Sequence, residues 1–312
     1  MNKRFIVLFI LLFLVLGNYI MNQDKPACQS TWSLRFLYSS RIGSAMRSFI
    51  TNNSLVSTLA GKFADTRVSK YAIPLFKRSY DVNVNESELV KPLKSFTSLN
   101  DFFSRQLKPI ARPFNQNEDF LCSPADGYIW VAPIDEQLNF HVKNAQFTLP
   151  KFLNDTALAQ EFIGGTIIVV RIAPHHYHRF HAPCSGIPET IHMINGKYES
   201  VNMISYLCGV PVLQQNERGL IKLQDTPFGS MCIIPVGALC VGRIKTTYTP
   251  DIKITKGDEM GYFEFGGSTV VMLLKKDAIN IDPVIQSSID NDYEYEVQAG
   301  QVIAHKVQAI NA

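Results

Sequence analysis

The chain has 312 residues, enough for one large hydrophobic core or for a main domain with a smaller one. Its composition, 46% hydrophobic and 18% charged, is that of a globular protein and excludes a disordered or collagen-like chain. The formal net charge is +3, but the first 80 residues carry a net +9 and the rest a net −6. This asymmetry indicates an anionic partner surface, either phospholipid or nucleic acid. The six cysteines form no CxxC pair and no zinc spacing, which favours reduced, buried thiols.

The amino terminus begins with an apolar segment. An unbroken apolar run from Phe5 to Leu16 follows Lys3 and Arg4. Extended to Met21, it reaches the lower limit for a membrane-spanning helix, about 17 residues. No small-x-small cleavage site follows, so an uncleaved anchor is preferred and a signal peptide is the alternative. The first predicted unit is this hydrophobic anchor or signal segment, residues 1–21.

Residues 22–98 form the second predicted unit, a basic helical region. Apolar positions between 34 and 50 recur at helical spacing among Arg35, Arg41 and Arg47. A basic amphipathic helix of this kind can lie on a membrane surface, and a helix packed on its own domain is the alternative. Together with the anchor and the charge asymmetry, the pattern favours membrane association.

From about Phe120 the sequence changes to short β-rich runs separated by Gly, Pro, Asp and Asn. Between these runs only the stretch 149–162 has helical character. The pattern predicts a third unit, residues 99–312, with a mainly antiparallel β core. The predicted fold class is therefore α+β, with an N-terminal helical membrane-associating region. The clearest β-rich runs are 127–131, 166–172, 231–236 and 268–274.

Four of the seven histidines, His175, His176, His178 and His181, lie within seven residues, directly after the strand predicted to end at Ile172. Loops at strand ends commonly carry functional sites. General acid–base chemistry suits histidine because its side chain titrates near neutrality. Metal ligation is the alternative, but no carboxylate or cysteine stands at a familiar zinc spacing. The cluster therefore favours proton transfer over a metal site.

Two further motifs are ambiguous when each is considered alone. Gly266 and Gly267 remove side-chain bulk around one peptide bond, and the hydroxyl of Ser268 follows them. Because glycine permits strained backbone, this arrangement suits attack of the Ser268 oxygen on the Gly267 carbonyl. A tight turn entering a strand explains the same residues. Asp126 lies in the turn 123–127, and Pro-x-Asp-Gly is common in turns.

Taken together and in this order, these segments resemble the phosphatidylserine decarboxylase family, from about Leu99 to the carboxyl terminus. Each motif alone is unspecific, whereas the ordered set is specific. One departure is His176, which stands where many members carry aspartate. The matching pieces are Phe102-Phe103-Ser104-Arg105 with Arg112-Pro113, SPADG at 123–127, YHRFH at 177–181, Asn216-Glu217-Arg218, VGALCVG at 236–242, KGDEMGYFEFGGST at 256–269 and AGQVI at 299–303.

The resemblance implies self-cleavage between Gly267 and Ser268. The products would be a β chain, residues 1–267, and an α chain, residues 268–312. Ser268 would become a pyruvoyl group, a covalent cofactor whose carbonyl withdraws the electrons left when CO2 departs. The resemblance implies no metal.

The resemblance also implies roles for three other side chains. Asp126 and His181 match the family's self-cleavage partners, with His181 as the base for Ser268 and Asp126 as the group that orients the imidazole ring. His178 matches the histidine that handles protons during decarboxylation. The predicted catalytic set is therefore Asp126, His178, His181 and Ser268.

The leading hypothesis is pyruvoyl-dependent decarboxylation of phosphatidylserine to phosphatidylethanolamine at a membrane. The implied partners are this lipid and membrane phospholipid. The chain's own β and α fragments are expected to stay together. No nucleic acid is expected, and a homo-oligomer is possible in this interpretation. The expected location is the bacterial cell membrane, or the mitochondrial inner membrane or endomembrane in a eukaryote. The alternatives are a related decarboxylase acting on a soluble amino acid or another serine phospholipid, a non-catalytic membrane-associated binding protein, and a zinc hydrolase.

Overall fold

The computed structural model describes residues 32–51, 54–238, 243–266 and 268–307, so the predicted anchor, 1–21, lies outside the described residues. The described chain combines helices with antiparallel sheets, which confirms the α+β class. None of its described helices has both the length and the apolar character needed to cross a bilayer.

Helices form the first part of the described chain, as the apolar spacing predicts. The helix Leu99–Phe103 begins after Ser98, whose hydroxyl accepts a hydrogen bond from the Asp101 backbone N–H at 3.1 Å and so caps the helix. The hydrophobic cluster under these helices includes Phe76 and Phe96 as well as Phe102 and Phe103. The elements are α1 Trp32–Ser39, α2 Arg41–Thr51, α3 Ser54–Asp65, α4 Ile73–Ser79 and α5 Leu99–Phe103, with 3-10 helices at Arg67–Ala72, Glu86–Glu88, Leu93–Ser95 and Pro109–Ala111.

Sixteen strands follow within the described residues, and every predicted β-rich run lies in one of them. They are β1 Phe120–Cys122, β2 Gly127–Pro133, β3 Asn139–Val142, β4 Ala145–Thr148, β5 Thr166–Ile172, β6 Arg179–His181, β7 Ile187–Pro188, β8 His192–Ile194, β9 Arg218–Gln224, β10 Met231–Gly237, β11 Ile244–Thr246, β12 Glu259–Phe263, β13 Ser268–Leu274, β14 Ile279–Ile281, β15 Tyr295–Val297 and β16 Val302–Lys306.

The largest sheet has the strand order β15-β2-β5-β13-β10-β9-β7, with β8 also paired to β9. β13 lies near its centre, and all seven of its residues are buried. Successive side chains of a strand point to opposite faces, so Val270 and Met272 enter one hydrophobic cluster and Val271 and Leu273 enter another. The sheet is therefore covered on both faces. The smaller sheets are β1-β16-β14, β11-β12-β6 and β3-β4.

The predicted helical stretch 149–162 is divided into two short helices. Asn154 adopts a left-handed conformation with φ 54°, and the Asp155 carboxylate accepts a hydrogen bond from the Leu158 N–H at 3.0 Å, so a second helix begins there. Further short helices were not predicted, because a helix of only a few residues is too short to show a clear periodicity. The helices of this part are α6 Leu149–Leu153, α7 Thr156–Gln160, α8 Met203–Leu207, α9 Val212–Gln215 and α10 Pro283–Asp290.

Candidate active site

Ser268 is the first residue of β13 and is fully buried. It pairs with Ile172, the last residue of β5, and with Gly237, the last residue of β10. Since β5 and β13 run antiparallel, the loop that leaves β5 comes back over the start of β13. This loop carries the histidine cluster, so the topology explains why residues so distant in sequence meet. Gly266 has φ 146°, a conformation that glycine adopts without strain.

His178 is the histidine that contacts Ser268. Its Nδ1 atom lies 3.1 Å from the Ser268 Oγ, and both residues are fully buried. The Phe103 ring stacks on the imidazole with 3.7 Å between ring centroids. Burial, and then the charge of Arg105, hold the pKa of His178 well below its usual range. The ring is therefore neutral near pH 7 and can accept a proton from a hydroxyl group.

His181 lies on β6 with a defined tautomer. Its Nδ1 is 2.9 Å from the Gly257 carbonyl oxygen, which can only accept, so Nδ1 carries the proton. Nε2 then carries the lone pair and accepts a hydrogen bond from the Tyr177 hydroxyl at 3.2 Å. Burial lowers the pKa of His181, which keeps the ring in its basic form near neutrality. Among the described contacts, His181 hydrogen-bonds neither to Ser268 nor to Asp126, the neighbours that the resemblance implies.

Asp126 is buried and held by Arg112. The guanidinium donates from Nε to Oδ1 at 2.8 Å and from Nη2 to Oδ2 at 2.6 Å, while the Ala299 N–H donates to Oδ1 at 2.9 Å. The turn around Asp126 also binds the segment near Ala299: the Ser123 N–H donates to the Gln301 carbonyl at 2.8 Å. Two motifs near opposite ends of the catalytic region thus meet. The ring of His181 is oriented by a backbone carbonyl, and Asp126 instead joins two chain segments.

Helix α5 and the residues after it cover the site from the N-terminal side. The Asn100 side chain accepts a hydrogen bond from the Phe265 N–H at 2.8 Å and so holds the segment that leads to the Gly-Gly pair. Phe103, Arg105 and Arg112 belong to the motifs that carry the resemblance, yet no pattern in the sequence assigns them a role. Their function follows only from the contacts.

A cavity of about 530 Å³ lies beside these residues. The buried residues Arg105, Asp126 and Tyr177 line it, together with the half-buried Arg112 and the exposed Glu296. The cavity therefore presents charged side chains and reaches Arg105, whose charge acts on His178.

His175, His176 and Glu296 also line this cavity, and their ligand atoms lie within 4.8 Å of one another, close enough to hold a metal ion. The Ala173 backbone N–H donates to His176 Nδ1 at 2.9 Å, so this nitrogen carries no proton. The proton of the neutral ring is then on Nε2, which faces Glu296 Oε1 at 2.9 Å. A nitrogen that carries a proton offers no lone pair to a metal. This tautomer fits a hydrogen bond from His176 to Glu296 better than metal ligation.

The sequence of this chain is similar to those of known proteins. A family model described as phosphatidylserine decarboxylase matches residues 99–305. A protein of Chlamydia trachomatis serovar L2, named phosphatidylserine decarboxylase proenzyme, is 37% identical over 287 residues, which cover 92% of this chain and 94% of that protein. A protein of Clostridium botulinum with the same name is 37% identical over 276 residues, which cover 88% and 92% of the two chains. The similarity to these relatives extends into the helical region before residue 99.

Proposed function

We propose that this chain, which belongs to the phosphatidylserine decarboxylase family, converts phosphatidylserine to phosphatidylethanolamine and CO2 after cutting itself between Gly267 and Ser268. The observation that carries the proposal is the buried hydrogen bond between Ser268 Oγ and His178 Nδ1. It places an imidazole ring against the hydroxyl group of the residue at which the ordered motifs predict the cut. The names of the relatives, which are proenzymes, support a chain that matures by cleavage.

In the first step of self-cleavage the Ser268 oxygen attacks the Gly267 carbonyl carbon. A C–O bond forms, the peptide C–N bond breaks, and the amide nitrogen of Ser268 receives a proton. Removal of the Ser268 α-proton then expels the Gly267 carboxylate, which becomes the end of the β chain. Water releases ammonia from the remaining dehydroalanine and leaves a pyruvoyl group at the start of the α chain. The chain thus makes its cofactor from its own residue.

The residues around Ser268 fit such a group. The pyruvoyl carbonyl supplies an electron sink for the charge left when CO2 departs. Ser268 starts a buried central strand, so the surrounding sheet fixes the position of this group and excludes water. His178 would hold a proton at Nδ1, next to the reacting atoms, and deliver it to the α-carbon of the substrate. The Phe103 ring restricts the imidazole to this orientation.

The resemblance assigns the first proton transfer to His181 and the later one to His178. The lone pair on His181 Nε2 and the fixed proton on Nδ1 support His181 as a base. One observation favours a second division of labour, in which His178 serves both steps: His178 is the histidine in contact with the Ser268 hydroxyl. The two divisions predict different behaviour of a His178 variant, as argued in the Discussion.

The strand pairing supports two fragments that stay together. After the cut, β13 remains paired with β5 and β10, β15 with β2, and β16 with β1. Each of these pairs joins the α chain to the β chain. Because β13 is buried on both faces, separating the fragments would expose the core of the main sheet.

A lipid substrate is supported by the surface of the helical region. Ile42, Val68 and Tyr71 are exposed by 71%, 67% and 76%, although their side chains are apolar or aromatic. Between residues 32 and 80 the only acidic residue is Asp65, against eight Lys and Arg. A region with exposed apolar side chains and an excess of cations suits the interface of an anionic bilayer. On this ground we propose that the enzyme acts at a membrane surface.

The decisive experiment is intact mass on the purified protein together with an assay of CO2 release. We expect two fragments divided between Gly267 and Ser268, with the smaller one blocked at its amino terminus. Vesicles containing phosphatidylserine should release CO2, whereas free serine should not. A Ser268→Ala chain that is still cut at this bond would refute the mechanism. Turnover of free serine at a comparable rate would instead support the soluble-substrate alternative.

A further inference from the structure

Arg105 is a buried cation without a counter-ion. Its side chain is 5% exposed, and Nη2 donates to the carbonyl oxygens of His175 and His176 at 3.1 and 2.8 Å. Nη1 is buried without any hydrogen-bond partner. No carboxylate of the described residues lies within ion-pairing distance. Burial lowers the pKa of Arg105 to about 10, so the group is still charged at neutral pH. Such an arrangement is costly unless an anion completes it.

Arg112, the second arginine that lines this cavity, differs from Arg105 because carboxylates lie beside it. Arg112 lies between two carboxylates. It forms the bidentate pair with Asp126, and its Nη1 lies 3.7 Å from Glu88 Oε2. Its charge is therefore already compensated. Of these two cavity-lining arginines, Arg105 is the one with a donor still free.

Arg105 is also close to the reacting residues. Its charge contributes to the low pKa of His178, and Phe103, two residues earlier, stacks on the His178 ring. The carbonyl groups that hold Arg105 belong to the histidine loop itself. An anion bound at Nη1 would therefore lie near the His178 ring, on a residue that also lines the cavity.

The proposed substrate offers two anionic groups, a carboxylate and a phosphodiester. A cation that holds the carboxylate stabilises the ground state and loses its partner as neutral CO2 forms, which slows the reaction. The phosphodiester keeps its charge throughout and is only a few bonds from the reacting carbon, so holding it orients the headgroup. Resting on the proposed function, we infer that Arg105 binds the headgroup phosphodiester through Nη1 and so positions the substrate for His178.

The test is inhibition of the mature enzyme by soluble analogues. Glycerophosphoethanolamine retains the amine and the phosphodiester but lacks the carboxylate; ethanolamine retains the amine alone. In the unaltered enzyme, glycerophosphoethanolamine should inhibit at lower concentration than ethanolamine. Arg105→Gln should raise its inhibition constant about tenfold or more, the effect of losing a charged hydrogen bond, and leave inhibition by ethanolamine unchanged. Arg105→Lys, which keeps the charge, should recover part of the difference and can be used if the Gln variant does not mature.

Arg218 provides the matched control. It is also buried, its pKa is also lowered to about 10, and its side chain donates to three backbone carbonyls, so Arg218→Lys controls for the loss of a buried guanidinium. This variant should keep both inhibition constants. If the Arg105 variants keep the inhibition constant of glycerophosphoethanolamine, the inference is wrong. If they change only the KM for glycerophosphoserine, Arg105 binds the carboxylate and the inference is also wrong. An unaltered protein that neither cleaves itself nor releases CO2 would instead refute the proposed function.

Discussion

Arg171 and Glu294 form a bidentate ion pair that joins the two sides of the proposed cut. Arg171 Nε and Nη2 donate to Glu294 Oε1 at 3.0 and 2.9 Å, and Nη2 also donates to Oε2 at 2.6 Å. Arg171 lies on β5 in register with Thr269, the residue after the nucleophile. The pair therefore fastens the α chain beside its own new amino terminus.

Loss of this pair should weaken the assembly of the two fragments. Glu294→Gln leaves Arg171 largely buried without its counter-ion, and we expect the urea-induced separation of the fragments to become easier by about 1–2 kcal/mol. Lys275 and Glu161 also form a pair across the cut, but their side chains are 40% and 48% exposed. Glu161→Gln should therefore cost less than about 0.5 kcal/mol. Size-exclusion chromatography across a urea series measures both, and equal effects would contradict the assigned role of Arg171.

The two histidines should separate cleavage from turnover. His178→Ala is expected to cleave itself yet lose CO2 release, because the proton donor beside the Ser268-derived group is missing. His181→Ala is expected to remain a single chain. Intact mass and CO2 release on the same preparations measure the two properties, with His192→Ala, an exposed ring on β8, as the control. An uncleaved His178→Ala protein would show that His178 also serves the first step.

Much of the fold could be predicted because the central strands are long, apolar and bounded by turn residues. The runs that became β5 and β13 are found with the predicted bounds. Short helices such as Met203–Leu207 could not be predicted, since a single turn has no period; it begins where the Asn202 side chain accepts from the Ile204 N–H. The helix expected over 149–162 is interrupted at Asn154 by local backbone geometry.

The motif order predicted four residues of the candidate site but not their pairing. Ser268, His178, His181 and Asp126 lie in the same region, as expected from motifs that occur together. Which atom faces which depends on register and on backbone carbonyls such as that of Gly257, and no side-chain pattern encodes these. Arg105 illustrates the same limit, because its missing counter-ion is visible only once its neighbours are placed.

The protein should lose stability in acid through His175. Burial, and then the neighbouring His176, lower the pKa of His175 to about 4, while Glu296 and Asp81 act in the opposite direction and Arg171 lowers it further. Between the ordinary pKa of about 6.5 and this value, the unfolded chain binds a proton that the folded chain does not, so stability falls as the pH decreases through this window. His175→Gln should make the drop in Tm between pH 7 and pH 5 smaller. His141 is exposed, so His141→Gln is the control and should show the same drop as the unaltered protein. A drop in His175→Gln as steep as in the unaltered protein would contradict the prediction.

Binding to lipid vesicles should depend on the exposed apolar residues of the helical region. Ile42→Ser with Tyr71→Ser removes two side chains that would enter the bilayer interface, and we expect affinity for phosphatidylserine vesicles to fall by about tenfold or more. Val284 and Tyr293 are comparably exposed, by 60% and 71%, but lie on helix α10 and shortly after its end, outside the helical region. Val284→Ser with Tyr293→Ser is therefore the matched control and should bind as the unaltered chain does.

Vesicle flotation at low and high salt measures the affinities. Salt should weaken binding in all variants, because the cations of residues 32–80 contribute in each. Equal binding by the two double variants would show that this surface does not face the membrane.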